Sequence, residues 1–231
     1  MAEINLGKTK QDIWSDKEFD TEDFPSNKKH LNDLHKILLY ALTVRTMGMP
    51  VAFTILFTNA TRENMEADGR NIRNFILDMA RKQCKGIEMF FVLEYGRFKS
   101  GDKMGEYGWH AHGIFASSLE TLAADKEKIR KLCGDRRKCK NKKERKFYDK
   151  YALKTKFTRL KKTRGKHVGL RGWCDYLYKD LSRTKRRSDF EGSLIGKTAE
   201  ISRKSKEVLN EIYEQKASLR RKKPLPPATR I

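Results

Sequence analysis

The sequence predicts an α+β fold, with helices packed on one face of an antiparallel sheet. Runs of β-branched, aromatic and other apolar residues at 51–58, 87–95 and 109–116 have the length and composition of strands. Between the first two runs, residues 61–84 repeat apolar side chains at helical spacing and predict one amphipathic helix. The order β-α-β-β is typical of a helix packed on one face of a sheet, which leaves the other face for chemistry.

Three further helices are predicted around this centre. Apolar residues recur at helical spacing after Ser26, which can cap a helix that ends at Gly48. A second helix is predicted from Ser118, as its N-cap, to Leu132. A third is predicted over 198–221, close to the end of the sequence.

The charge of the chain indicates a polyanionic partner. The 231 residues include 52 Lys and Arg against 30 Asp and Glu, which gives a formal net charge of +22. Nucleic acid is the commonest reason for so large an excess. No apolar run reaches the length of about 18 residues that a membrane span needs, and the first residues lack the apolar core of a signal peptide. We therefore expect an intracellular protein with no membrane partner.

A dense basic run at 134–166 is a candidate nucleic-acid contact. Cations can bind phosphates while aromatic rings stack on unpaired bases, which is the combination that single-stranded nucleic acid requires. The alternative, a solvated basic arm, stays open. The aromatic residues of this run are Phe147, Tyr148, Tyr151 and Phe157.

The central hairpin offers three candidate metal ligands. Side chains alternate between the faces of a strand, so His110 and His112 point the same way. If Glu94 on the preceding strand pairs with His110, its carboxylate shares that face. Two imidazoles and a carboxylate suit a divalent cation with positions left open for substrate. A His-x-His pair alone is more often an ordinary strand surface, and that alternative stays open.

These residues resemble motif 2 of the HUH endonucleases, the rolling-circle replication initiators of phages, viruses and plasmids. In that family an EYG sequence precedes a His-hydrophobic-His strand. Here the matching residues are Glu94-Tyr95-Gly96 and, on the next strand, the WHAHGIF run that contains both histidines, with Ala111 as a small occupant of the hydrophobic position. The strand at 51–58, VAFTILFT, resembles motif 1 of the family.

A Tyr-Lys pair resembles motif 3 of the same family, YxxK. Tyr176 and Lys179 are three residues apart and share one face of a predicted helix. Gly172 is expected to introduce this helix, after a short strand that contains Val168 and Leu170. The RGW sequence before the helix is also similar to the family's approach to this motif.

A rival YxxK match exists at Tyr151 and Lys154. It lies inside the basic run with no predicted strand before it, so it is the poorer candidate for the nucleophile. It stays open as an alternative.

The resemblance implies a function, a fold and a division of the chain. The implied fold is an HUH-nuclease core, similar to RRM and palm domains, over residues 51–182, with the basic run as an insertion. Residues 1–50 then form an N-terminal lead-in and helix, and residues 183–231 a basic, partly helical C-terminal tail. The implied activity is nicking of single-stranded DNA at a replication origin by tyrosine attack, with a 5′-phosphotyrosyl intermediate and strand rejoining.

The resemblance also implies the roles of individual residues. Tyr176 would be the nucleophile and Lys179 its assistant, and Glu94, His110 and His112 would hold Mg²⁺ or Mn²⁺. The expected partners are single-stranded DNA or an origin hairpin, together with a host helicase and polymerase. The expected location is the host cytoplasm if the host is bacterial, or the nucleus if the protein belongs to a eukaryotic virus.

Two other functions remain compatible with the sequence. One is a non-catalytic nucleic-acid-binding protein, for which charge and aromatic residues suffice. The other is a plasmid relaxase or single-strand transposase, which uses the same chemistry for a different purpose.

Overall fold

The structure, a computed structural model, describes residues 19–67, 71–97, 107–134, 141–143, 145–146, 155–160, 169–188 and 192–222. Most of the basic run, the rival pair Tyr151 and Lys154, and Val168 lie outside these ranges.

An antiparallel sheet of five strands forms the centre of the described structure, in the order β4-β1-β3-β2-β5. This confirms the predicted α+β class. The strands are β1 (Met49–Leu56), β2 (Met89–Arg97), β3 (Tyr107–Ser117), β4 (Lys156–Arg159) and β5 (Ile195–Lys197).

The helices are α1 (Asp33–Met47), α2 (Asn59–Ala67), α3 (Ile72–Gln83), α4 (Leu122–Arg130), α5 (Leu170–Arg187) and α6 (Ala199–Lys222). Short 3₁₀ turns occur at Thr21–Asp23, Lys28–His30 and Lys131–Cys133.

The register of the β2–β3 pair agrees with the predicted pairing of Glu94 with His110. Glu94 lies opposite His110, and Val92 lies opposite His112. On the other side of β3, Thr54 of β1 lies opposite His112. Cross-strand partners share a face of the sheet, so both histidines, Glu94 and Thr54 are on one face.

Helices cover both faces of the sheet, so the expectation that they occupy one face only is wrong. On the face of the histidines, the Tyr40 ring of α1 lies 5.8 Å from the Phe90 ring. On the opposite face, the Phe157 ring of β4 contacts Phe115 and lies under Arg130 of α4.

The composition of the central strands explains this two-sided cover. Consecutive residues of β2, from Met89 to Leu93, are all buried, and they point alternately to the two faces. An apolar run of this kind must be shielded from water on both sides, whereas a strand with one solvated face alternates apolar and polar residues. The site of the histidines is therefore a recess between sheet and helices, not an open surface.

Helix α1 is buried along its middle turns. Residues from Ile37 to Val44 are all buried, and the helix packs against β3, α5 and α6. Its N-cap is Asn32, whose side chain accepts a hydrogen bond from the backbone N–H of His35. The prediction that the helix starts at Ser26 is wrong because Asn27 caps a separate 3₁₀ turn first.

The predicted helix over residues 61–84 is two helices. Helix α2 ends at Ala67, and α3 begins at Ile72 after Asn71, whose side chain accepts from the backbone N–H of Arg73. A new N-cap starts a new helix because it satisfies backbone donors that a continuous helix would already use. The sequence signal is Asp68-Gly69, a common turn pair.

Two other helix starts also differ from prediction. Helix α4 begins at Leu122, and the hydroxyl of Ser118 instead accepts from the backbone N–H of Thr121 in the preceding turn. Helix α5 begins at Leu170, with Gly169 as N-cap, so Leu170 belongs to this helix and not to a strand.

The segment after residue 183 contributes to the same sheet and core. Strand β5 pairs with residues 90–92 of β2, at the edge opposite β4. Helix α6 packs on α1, and its Ile201, Val208 and Ile212 are buried. None of the helices in the described ranges has the length and apolar character needed to cross a membrane.

Candidate metal centre and nucleophile

His112 is held between two hydrogen-bond partners on neighbouring strands. Its Nε2 lies 2.7 Å from Oε2 of Glu94, and its Nδ1 lies 2.9 Å from Oγ1 of Thr54. An ionised carboxylate can only accept, so Nε2–H donates to Glu94 in the metal-free protein, and the direction of the hydrogen bond between Nδ1 and the Thr54 hydroxyl follows the protonation state of the ring. The ring is thus fixed in one orientation.

His110 lies beside this pair and is also buried. Its ring centroid is 6.4 Å from that of His112, and only 7% of the residue is exposed. Burial lowers the pKa of His110 to about 4, and the positive charge of Arg62 adds to that effect against the opposing charge of Glu94. The imidazole is therefore neutral near pH 7, which is the form that binds metals.

A carboxylate outside the predicted ligand set completes a compact group of possible ligands. Ligand atoms of Glu94, His112 and Asp180 all lie within 4.8 Å of one another. Asp180 is on α5, one helical turn beyond Tyr176, and faces the sheet. His110 is a neighbour of this group and not one of its three members.

The environment of Asp180 fits a cation. Its Oδ2 is buried without a hydrogen-bond partner among the described residues, and the nearest cation, Nη1 of Arg183, is 3.7 Å from Oδ1. Burial and the nearby charge of Glu94 raise the pKa of Asp180. Two carboxylates held together in a buried recess repel each other, and a divalent cation would offset that repulsion. One nitrogen and two carboxylates are a donor set that could hold a metal ion.

Tyr176 lies directly against His112. The two ring centroids are 5.4 Å apart with an interplanar angle of 87°, and Trp173 stacks on Tyr176 at 5.1 Å while its ring also lies 6.4 Å from that of His112. Tyr176 is 40% exposed, so its ring contacts His112 and Trp173 while part of it remains accessible to solvent. Burial raises the pKa of Tyr176, and the charges of Asp180 and Glu94 raise it further.

Lys179 lies one turn along α5 from Tyr176 and is exposed. At that spacing its ammonium group is on the solvent side of the helix, while Asp180 is on the side that faces the sheet. The structure thus places a carboxylate nearer to His112 than the predicted lysine.

Two local features set the position of the site. The backbone N–H of Tyr95 donates to Oγ1 of Thr184 at 2.9 Å, which fastens α5 to the strand that carries Glu94. Gly96 leaves room for the Glu94 side chain, because a Cβ at Gly96 would lie 2.8 Å from Oε1 of Glu94. The EYG sequence therefore has a steric reason for its glycine.

The residues that sequence reasoning missed had weak signals. Asp180 is four residues after Tyr176, a spacing that shares a helix face, but an acid in a basic helix usually indicates an ion pair. Thr54 could be placed beside His112 only after the pairing of β1 with β3 was known.

Comparisons with protein-family models, with curated proteins and with solved structures found no match to this chain.

Proposed function

We propose that the protein is a metal-dependent endonuclease that nicks single-stranded DNA and acts as an initiator of rolling-circle replication. The observation that carries the proposal is the contact between Tyr176 and His112, with ring centroids 5.4 Å apart. It makes a helical phenol the neighbour of the Glu94–His112–Asp180 group. A nucleophile beside a cation site is the arrangement that phosphodiester cleavage by tyrosine requires.

The proposed reaction is a transfer of the phosphoryl group from DNA to Tyr176. The phenolic oxygen forms a bond to phosphorus, and the bond from phosphorus to the 3′ oxygen breaks. The phenol loses its proton, the leaving oxygen takes up a proton to become a 3′-hydroxyl, and no net proton is gained or lost. The 5′ side remains on Tyr176 as a phosphotyrosyl ester. The covalent ester keeps the bond energy, so the reverse transfer can rejoin strands without ATP. Mg²⁺ or Mn²⁺ would supply positive charge that offsets the negative charge of the scissile phosphate.

The surroundings of Tyr176 explain why its reactivity would depend on a cation. Burial and the carboxylates of Asp180 and Glu94 oppose ionisation of the phenol and raise its pKa. Neutralisation of these carboxylates would remove part of that opposition. Lys179, on the exposed side of the same helix, would add positive charge next to the incoming phosphate.

The charge of the whole chain supports a DNA substrate. A formal net charge of +22 favours association with a polyanion, and it accelerates the encounter at low salt. In this proposal the partners are single-stranded DNA or an origin hairpin, and a host helicase and polymerase extend the free 3′-hydroxyl.

The test is formation of a covalent protein–DNA adduct. The protein is incubated with Mn²⁺ and an end-labelled pool of random single-stranded DNA, and the adduct is resolved by denaturing electrophoresis. We expect an adduct from the wild type, none from Tyr176→Phe, and an undiminished amount from Tyr178→Phe. Tyr178 is a matched control because it is 36% exposed on the same helix but points away from Tyr176.

Each other result has a defined meaning. An undiminished adduct from Tyr176→Phe would move the nucleophile elsewhere, and Tyr151 would be the next candidate. DNA that is bound and retarded by the wild type, without any covalent product in Mn²⁺ or Mg²⁺, would instead make the protein a non-catalytic nucleic-acid-binding protein.

A further inference from the structure

A line of basic side chains follows Tyr176 along α5. Lys179, Arg183, Arg186 and Arg187 are three, seven, ten and eleven residues after Tyr176. At 3.6 residues per turn, all four lie with Tyr176 in a sector of roughly 100° of the helix circumference. From Tyr176 to Arg187 the row extends over about 16 Å along the helix axis. We refer to these four residues as the basic stripe.

The stripe is exposed and largely lacks acidic partners. Lys179, Arg186 and Arg187 are exposed, and none of them forms an ion pair with a carboxylate in the described parts of the chain. Arg183 is the exception, at 3.7 Å from Asp180, with 43% of its side chain still exposed.

Cations elsewhere on the same helix do have partners. Lys185 pairs with Asp33 of α1, and Arg171 pairs with Asp23 at 2.6 Å. The fold therefore pairs cations on the other sides of α5 with carboxylates and leaves Lys179, Arg186 and Arg187 without such a partner among the described residues.

Stabilisation of α5 by its own basic residues explains only part of the stripe. Basic residues in the last turn of a helix interact favourably with its dipole, which is sufficient reason for Arg186 and Arg187. The effect fades within that turn, so it gives no reason for Lys179 in the middle of α5. A single row of cations that begins at the proposed nucleophile matches a single phosphate backbone.

We propose that the basic stripe binds the sugar–phosphate backbone of the single-stranded DNA that flanks the phosphate attacked by Tyr176. This inference rests on the proposed function for its substrate. The stripe fixes the direction in which the strand leaves the site, parallel to α5 and toward its C-terminal end. Its contacts are with phosphates, so they position the strand without reading its sequence.

The test compares two double variants with the same change in net charge. Arg186→Gln/Arg187→Gln removes the end of the stripe that is furthest from the chemistry. Lys82→Gln/Lys85→Gln removes two exposed cations at the end of α3, on the opposite face of the sheet. Both are made in the Tyr176→Phe background without metal, so that DNA binding is measured apart from cleavage. Fluorescence anisotropy with a labelled single-stranded oligonucleotide gives the dissociation constant at several salt concentrations.

We expect the stripe variant to bind more weakly and with less salt dependence. Each phosphate contact with a single strand contributes about 0.7 to the slope of log K against log salt, so loss of two contacts flattens the slope by about 1.4. When salt is raised from about 50 to about 200 mM, the affinity of the stripe variant should therefore fall by a factor about seven times smaller than that of its parent. The α3 variant should keep the slope of its parent. Equal changes in the two variants would overturn the inference, because net charge alone would then explain the binding.

The outcomes separate this inference from the proposed function. If the wild type forms no covalent adduct but the stripe variant still loses salt dependence, DNA binding by the stripe is supported and the nuclease proposal is wrong. If the adduct forms and the two double variants bind DNA alike, the nuclease proposal is supported and the proposed binding of DNA by the stripe is wrong. In the otherwise wild-type protein, the stripe variant should need more DNA for half-maximal adduct formation while the rate at saturating DNA is unchanged.

Discussion

Glu94 contacts His112 diagonally across the β2–β3 pair. The residue directly opposite Glu94 is His110, yet the carboxylate reaches the imidazole two residues further along, at 2.7 Å. Diagonal neighbours on one sheet face are close enough for a long side chain to reach. Asp180 of α5 also lies beside these two side chains, so the compact group of possible ligands forms at His112 and not between the two histidines.

Asp180→Asn should weaken metal binding without destabilising the fold. The substitution removes a buried carboxylate that lies near Glu94, so we expect the metal-free protein to be as stable as the wild type or more stable. We expect the affinity for Mn²⁺ to fall by at least about tenfold, because a charged ligand is lost. Mn²⁺ titration followed by electron paramagnetic resonance, together with urea unfolding in EDTA, measures both effects.

A second carboxylate on the same helix provides the control. Asp175 is exposed and lies 3.4 Å from Arg171, so Asp175→Asn should leave Mn²⁺ affinity unchanged. Unaltered Mn²⁺ affinity in Asp180→Asn would exclude Asp180 as a ligand and favour the ligand set of Glu94, His110 and His112.

Thr54→Val tests whether the hydroxyl orients the metal ligand. The substitution keeps the shape of the side chain but removes the partner 2.9 Å from Nδ1 of His112. Loss of such an outer partner of a histidine ligand lowers metal affinity by about 10- to 100-fold. We expect that loss in the same titration, with Thr54→Ser restoring most of the affinity. If Thr54→Val binds Mn²⁺ as tightly as the wild type, His112 does not depend on Thr54 for its orientation.

Gly96→Ala should displace Glu94 without unfolding the protein. The added Cβ would lie 2.8 Å from Oε1 of Glu94, the far end of a flexible side chain that can move aside. The carboxylate would then leave His112, and we expect weaker Mn²⁺ binding with little change in the urea midpoint.

Gly113→Ala provides a contrast on the neighbouring strand. There a Cβ would lie 2.3 Å from the backbone oxygen of Phe90 and 2.5 Å from the Phe53 ring. Neither the backbone nor this buried ring can move aside without a large cost in stability. We expect this variant to be strongly destabilised. A large loss of stability in Gly96→Ala would show that its glycine has a structural role beyond the site.

The stability of the metal-free protein should decrease in acid because of His110. Its pKa is near 6.5 in an unfolded chain and about 4 in the fold, so the unfolded state binds the proton first. The stabilising contribution of neutral His110 is therefore complete above pH 6.5 and is lost between pH 6.5 and 4. From pH 7.5 to pH 5 we expect a loss of about 2 kcal/mol in the free energy of unfolding.

The measurement is urea unfolding in EDTA at several pH values, for the wild type and for His110→Gln. The difference between the two proteins removes the effect of other titrating groups. Parallel pH profiles would show that His110 keeps an ordinary pKa in the fold.

The sequence predicted the structure best where side chains followed the regular period of a strand or a helix. Alternation placed Glu94, His110 and His112 on one face, and the hairpin register confirms the expected pairing of Glu94 with His110. The recurrence of apolar residues in α1 predicted a helix but not its surroundings, since burial on every side depends on what α5 and α6 supply from distant parts of the chain.

The site was harder to predict because its members come together only through tertiary packing. Asp180 joins Glu94 and His112 because α5 crosses β2 and is fastened there by Thr184. No periodicity in the sequence indicates where one helix crosses a strand. The metal ligand set expected from the hairpin alone therefore omitted the carboxylate from α5.

Strand β5 has a consequence for the nascent chain. It pairs with residues 90–92 of β2, and it is synthesised long after them. Until Ile195–Lys197 has emerged from the ribosome, the edge of β2 that pairs with β5 presents its amide and carbonyl groups to any other extended polypeptide. Premature termination before residue 195 should therefore yield a product that self-associates, even though it already contains Glu94, His112 and Tyr176.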